Sequence, residues 1–175
     1  AGIKFISTMS TPRDQISNAE AKGEHYLLEV DNYKLLLDCG LPEPDEDGVI
    51  SADEHYLRAI KRAAKSVDAV LISHSSWRHL GALPLIIRDL PSETPVLATV
   101  PVHHLGLMTQ YDMLQSLEPF WSAKGNASES KALFGLDEVD MAFERIKQLR
   151  YLQSFALDGQ LIVMPLPAGH SLGGA

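Results

Sequence analysis

Cysteine is nearly absent. Cys39 is the one thiol in 175 residues, so no internal disulfide can form, and no C-x-x-C pair or Cys/His cluster suggests a zinc finger. A reducing compartment fits best. Long apolar runs are missing as well: nothing approaches the ~20 residues needed to cross a bilayer, and Ala1-Gly2-Ile3-Lys4 lacks the charged-then-apolar layout of a signal peptide. The expectation is cytosol or nucleus, with no membrane association, and Asn126-Ala127-Ser128 is then a chance match to a glycosylation sequon. Positive charge is short: 15 Lys and Arg face 23 Asp and Glu, a net charge of −8. Such a chain has no global attraction for a phosphate backbone, so any RNA contact is local or made through a partner. Extremes of composition are absent too, with 45% apolar and 22% charged residues. That describes one packed domain.

What is present alternates between strand and helix signals. Ile3–Ser7, Tyr26–Val30 and Tyr33–Asp38 read as strands, the last two joined by the turn Asp31-Asn32 as a hairpin. Residues 41–48 hold two prolines and four acids and form a surface loop. Ser51-Ala52-Asp53-Glu54 has the Ser-x-x-Glu pattern of a capping box, followed by Tyr56, Leu57, Ile60 and Ala64 at helical spacing. The opposite face of that helix carries Arg58, Lys61, Arg62 and Lys65. A basic stripe of this kind is ordinarily a solvated face, and it is also one that meets RNA or an acidic partner. Val67–Ser73 predicts a buried strand, 78–89 a helix, Pro95–Thr99 a strand and Pro101–Leu117 a helix, with an aperiodic loop over 118–133. Asp137 is the expected cap of a helix whose apolar stripe is Val139, Ala142, Phe143, Ile146 and Leu149, and Gln160–Leu166 a last strand.

Among the histidines, His25 and His55 sit singly in a strand entrance and a helix and read as structural. His103 and His104 are adjacent on a helix, where their side chains diverge by about 100° and cannot easily share a metal. His74 and His79 differ, because they follow a buried strand and enter a helix, where α/β sheets commonly build their sites.

The order strand-Asp38-Cys39-Gly40, strand-His74-x-x-x-x-His79-Leu80-Gly81-Ala82-Leu83-Pro84, then Pro167-Ala168-Gly169-His170 before Ser171-Leu172-Gly173-Gly174 resembles the first half of a metallo-β-lactamase-fold nuclease of the β-CASP group. Thr99-Val100-Pro101-Val102, Tyr111–Ser116, Leu136–Phe143 and Met164–His170 look like the non-catalytic members of that group, which serve pre-mRNA 3′-end cleavage and polyadenylation. The resemblance implies an α/β fold, the N-terminal half of an αββα sandwich. It further implies that residues 1–175 are the N-terminal part of the domain, with its remainder and the β-CASP insert absent.

Active members of the group carry His-x-His-x-Asp-His after the strand, and these residues with the histidine after Ala-Gly hold two zinc ions. By this resemblance His74, His79 and His170 match, whereas Ser76 stands for the second histidine and Arg78 for the aspartate. A serine hydroxyl is a poor zinc ligand, and a guanidinium has no lone pair to give. Asp38 matches an aspartate that supports the site from behind. The implied site is vestigial, spanning Asp38, His74, Ser76, Arg78, His79 and His170, with no catalytic residue and no cofactor. The implied partners are a catalytic β-CASP endonuclease paralogue and scaffold subunits of the polyadenylation factor, with RNA contact indirect or weak, in the nucleus. The rival readings are a zinc-dependent RNA hydrolase with ligands redrawn from Asp38, His74, His79 and His170, and an inactive Integrator-type snRNA-processing subunit.

Overall fold

A computed structural model describes residues 3–6, 23–52, 54–123 and 133–175. Its centre is a six-stranded sheet in chain order: β1 (Ile3–Ile6), β2 (Tyr26–Val30), β3 (Tyr33–Leu37), β4 (Ala69–Ile72), β5 (Val96–Thr99) and β6 (Ile146–Leu149). The first three pair antiparallel and the last four parallel. The β2–β3 hairpin forms as expected, and Asp31 supplies the left-handed backbone of its turn, φ 52°. Between these strands the described residues form five helices: α1 (Glu54–Ala64), α2 (Trp77–Leu80), α3 (Leu83–Ile86), α4 (Val100–Ala123) and α5 (Leu136–Glu144).

Alternation along the parallel strands decides which residues meet the helices. Leu36, Val70, Ile72, Val96 and Ala98 join Tyr56, Ile60, Trp77, Leu80, Leu83, Ile86, Val102, Val139 and Phe143 in the main core. Leu35 and Ala69, one residue out of phase, face the other way and pack with Leu157. That side is covered by a two-stranded sheet, β7 (Phe155–Leu157) and β8 (Leu161–Val163). The layer order is therefore helices, large sheet, small sheet, the α/β arrangement expected for half of an αββα sandwich. Beside the small sheet an apolar cavity of about 510 Å³ lies against Leu37, Leu71, Leu97 and Leu149 and reaches Asp38 and Ser73.

The structure corrects several element assignments. The predicted 78–89 helix is two short helices, because Pro84 cannot donate within a continuous helix and instead sits in the first turn of α3. Helix α4 runs through 118–123 with Pro119 inside it; the carbonyl that proline leaves unpartnered belongs to Gln115, which is exposed to water. The rest of the predicted loop, 124–132, lies outside the described residues, as does Asp53 of the expected capping box, and α1 begins at Glu54.

Gly135, not Asp137, precedes α5, and its N–H donates to the Glu138 carboxylate at 2.9 Å. The apolar stripe predicted to continue to Leu149 breaks after Glu144. Arg145 turns its guanidinium onto the carbonyls of Ile87, Leu90, Pro91 and Thr94, and Ile146–Leu149 pairs with β5 instead. The last predicted strand shortens to Leu161–Val163 and pairs with Phe155–Leu157, which carried no strand prediction.

Three loops are locked together by main-chain bonds. Glu24 N–H donates to Arg78 O (2.6 Å), Cys39 N–H to His79 O (2.7 Å), Leu41 N–H to Trp77 O (3.2 Å), and Ala82 N–H to Cys39 O (2.8 Å). Such closeness needs glycine: a Cβ on Gly40 would lie 1.5 Å from Arg78 O, and one on Gly23 2.3 Å from the Gly40 carbonyl carbon. Gly40→Ala is therefore expected to cost about 3 kcal/mol or more, while Gly135→Ala, whose Cβ meets only the Glu138 carboxylate at 3.3 Å, is far milder. Chemical denaturation of both variants checks this ranking, and equal midpoints would refute it.

Candidate functional site

The locked loops bring the chain past the carboxyl ends of β3 and β4, where Asp38, His74, Ser76, Arg78 and His79 emerge. The loop carrying His170 arrives from β8 and is fastened there by Ala175 N–H to Ser73 O (3.1 Å) and Thr99 Oγ1 to Gly173 O (2.7 Å). The His74 ring then lies 4.9 Å from the His79 ring and 5.4 Å from the His170 ring. Residues that the sequence separates by almost a hundred positions thus meet.

Hydrogen bonds fix what these side chains can do. The Ser76 N–H donates to His74 Nδ1 at 3.0 Å, so Nδ1 carries a lone pair and the neutral ring holds its proton on Nε2. That Nε2 is buried and has no hydrogen-bond partner. The Ser76 hydroxyl sits 2.7 Å from His79 Nδ1. Arg78 pairs with Glu24 at 3.6 Å, and Glu24 also accepts from the Tyr26 hydroxyl at 2.9 Å. Burial, followed by the charges of His79 and His170, pushes the His74 pKa below its ordinary value, and burial does the same to His79, helped by Arg78 and His170 against the pull of Glu24.

These donors do not fit a two-zinc centre. His74 has one nitrogen occupied by a donor and the other protonated, Ser76 is engaged with His79, and Arg78 is a cation. Among the described residues no three His, Cys, Asp or Glu side chains are grouped to hold a metal ion.

Asp38 stands behind the histidines with a left-handed backbone, φ 60°. Its carboxylate accepts from Ser73 N–H (2.7 Å) and Ser73 Oγ (2.6 Å). Burial still raises its pKa to about 6, against those two bonds. Nothing in the sequence singles out Glu24 or Ser73: one pairs with a residue 54 positions away, and the other is a serine like several around it. His103 and His104 stand edge to face, and His103 Nε2 lies 3.3 Å from Phe143 O, a structural contact. His25 is buried edge-on against Tyr56, and His55 is exposed.

Residues 27–175 match the metallo-beta-lactamase superfamily domain. The chain is 38% identical over 152 residues to a probable cleavage and polyadenylation specificity factor subunit 2 of Drosophila melanogaster, covering 85% of this chain and 18% of the relative. It is 37% identical over 153 residues to the subunit 2 of Arabidopsis thaliana, covering 86% and 19%. Against Integrator complex subunit 11 of Danio rerio the identity is 24% over 149 residues, covering 85% and 24%. The chain thus spans less than a fifth of the length of the two subunit 2 relatives.

Two buried groups near the locked loops titrate in opposite senses. Burial lowers His25 from 6.5 to about 4, so the unfolded chain binds that proton first and the fold weakens as pH falls through this range. Asp38, raised to about 6 from 3.8, takes its proton first in the folded state, so the fold gains as pH falls through 6 towards 4. Relative to wild type, His25→Gln should shift the change in unfolding free energy between about pH 6.5 and 4.5 by about 2 kcal/mol in favour of the acid side, and Asp38→Asn by about 2 kcal/mol the other way. Parallel pH slopes for all three proteins would refute both assignments.

Proposed function

The chain belongs to the metallo-beta-lactamase superfamily, and on that premise we propose that it serves as a non-catalytic subunit of the nuclear machinery for pre-mRNA 3′-end cleavage and polyadenylation. The observation that carries the non-catalytic half of this reading is the Ser76 N–H bond to His74 Nδ1. A two-metal nuclease needs cations ~3.5–4 Å apart to generate hydroxide and to stabilise the attacking and leaving oxygens. A histidine whose free nitrogen is protonated gives no lone pair to either. Ser76 and Arg78, standing where the family pattern puts a histidine and an aspartate, support the same conclusion.

Membership in the polyadenylation machinery is supported by identities of 37–38% to subunit 2 proteins from an insect and a plant, against 24% to an Integrator subunit. On this reading residues 1–175 form the first part of a metallo-β-lactamase-like domain whose role is architectural. It holds a catalytic β-CASP paralogue and scaffold subunits in place, and with a net charge of −8 it makes little direct contact with RNA.

The full-length protein, tagged and purified without chelators, is expected to carry far less than one zinc per chain and to bring down polyadenylation factors. Elemental analysis and identification of the co-purifying proteins are the measurements. Near two zinc ions per chain would overturn the non-catalytic reading in favour of a zinc hydrolase, and recovery with snRNA-processing subunits would overturn the assignment of the complex.

A further inference from the structure

The face of α1 turned away from the core, with the turn that follows it, gathers four cations. With about 100° per residue, Arg58, Lys61 and Arg62 fall within one stripe about 100° wide, Lys65 follows in the turn just past the helix, and Tyr56, Ile60 and Ala64 occupy the opposite, buried side. All four cations are exposed. They are four of the 15 Lys and Arg of a chain with net charge −8, gathered in eight residues that rise only about 10 Å.

The same face also carries Glu54, one turn before Arg58, but beyond it 58–61 and 58–62 are like-charge pairs at three- and four-residue spacing, which oppose the helix they sit on. The two ends of the stripe already meet carboxylates: Arg58 pairs with Glu54 at 2.9 Å and Lys65 with Asp89 at 3.3 Å. Lys61 and Arg62, in the middle, make no ion pair among the described residues.

We propose that this face of α1 is a docking surface for an acidic segment of a partner protein, whose Asp and Glu side chains meet Lys61 and Arg62 between the two pairs already formed. Carboxylates every three or four residues along a second helix match the stripe's own period. RNA is the weaker fit. The stripe presents no Phe, Tyr or Trp on which a base can stack, since Tyr56 is turned into the core, and the remaining negative charge opposes a ligand with a charge on every nucleotide more than a short segment with a few carboxylates. The inference does not depend on the reading of the histidine site.

The test titrates full-length protein with a fluorescent 20-residue peptide of five Glu-Ala-Ala-Ala repeats and, separately, with 20-nucleotide oligouridylate at several salt concentrations. The expected result is salt-sensitive peptide binding that Lys61→Glu/Arg62→Glu weakens at least tenfold. The same double change should leave the far-ultraviolet dichroism and the melting temperature close to wild type, because both side chains are exposed. As a charge control, Lys147→Glu/Arg150→Glu, which makes the same change of net charge at two exposed residues on and beside β6, should leave peptide binding close to wild type. Equal peptide affinity for wild type and the Lys61/Arg62 variant would overturn the proposal. So would oligouridylate binding tighter than the peptide's and lost in that variant, or self-association by light scattering that the variant abolishes, which would make a second copy of the chain the occupant.

Discussion

Glycine at positions 23 and 40 is what allows three loops to share one volume. The main chain of 77–82 passes so close to Gly40 that its amide and carbonyl groups bond directly to residues 24, 39 and 41, and any β-carbon at 40 would coincide with the Arg78 carbonyl. The consequence runs outward in both directions. Inward, the clasp fixes Trp77, Leu80 and Leu41 in the core, where each is buried, and Trp77 gains a bond from its indole N–H to Pro42 O at 2.9 Å. Outward, it sets the starting points of His74, Ser76, Arg78 and His79 at the sheet's edge.

That arrangement puts the functional positions on rigid main chain, while the chemistry of their side chains varies. Asp38 holds the loop after β4 through both hydrogens of Ser73, a task that needs an acceptor and no metal. Arg78 is drawn to Glu24 and Glu24 to Tyr26, so this cation has a counter-ion from the neighbouring loop. A buried or half-buried positive charge without such a partner would be costly. The substitution at 78 is thus accommodated by residues the family pattern does not mention.

The parts of the molecule legible in the sequence were those governed by local spacing. Short apolar runs bounded by polar residues predicted β2 to β5 to within two residues, and the two-residue turn predicted the hairpin. Failures came where a tertiary contact overrode a local signal. Val139, Ala142, Phe143, Ile146 and Leu149 keep helical spacing throughout, but the carbonyls gathered by Arg145 and an open edge on β5 turn the last four residues into a strand. Likewise β7 exists because Phe155 and Leu157 find Leu35 and Ala69 on the sheet's second face, which three residues of sequence cannot announce. At the site, the family pattern located His74, His79 and His170, and the structure brings them together. The tautomer of His74 was invisible beforehand, since it depends on where one backbone N–H points.

The convergence of the three imidazoles is held by bonds to the main chain. The loop bearing His170 is tied by Ala168 N–H to Gly174 O (2.9 Å), by Ala175 N–H to Ser73 O and by the Thr99 hydroxyl to Gly173 O, and the loop bearing His79 by the clasp. Every one of those bonds involves main chain on at least one side, and none involves an imidazole. A ligand set can then drift, one side chain at a time, without loosening the loops that present it. This separation of scaffold from side-chain chemistry keeps the superfamily fold around Ser76 and Arg78. It also locates the constraint on further change: the glycines and the Asp38–Ser73 pair carry the architecture.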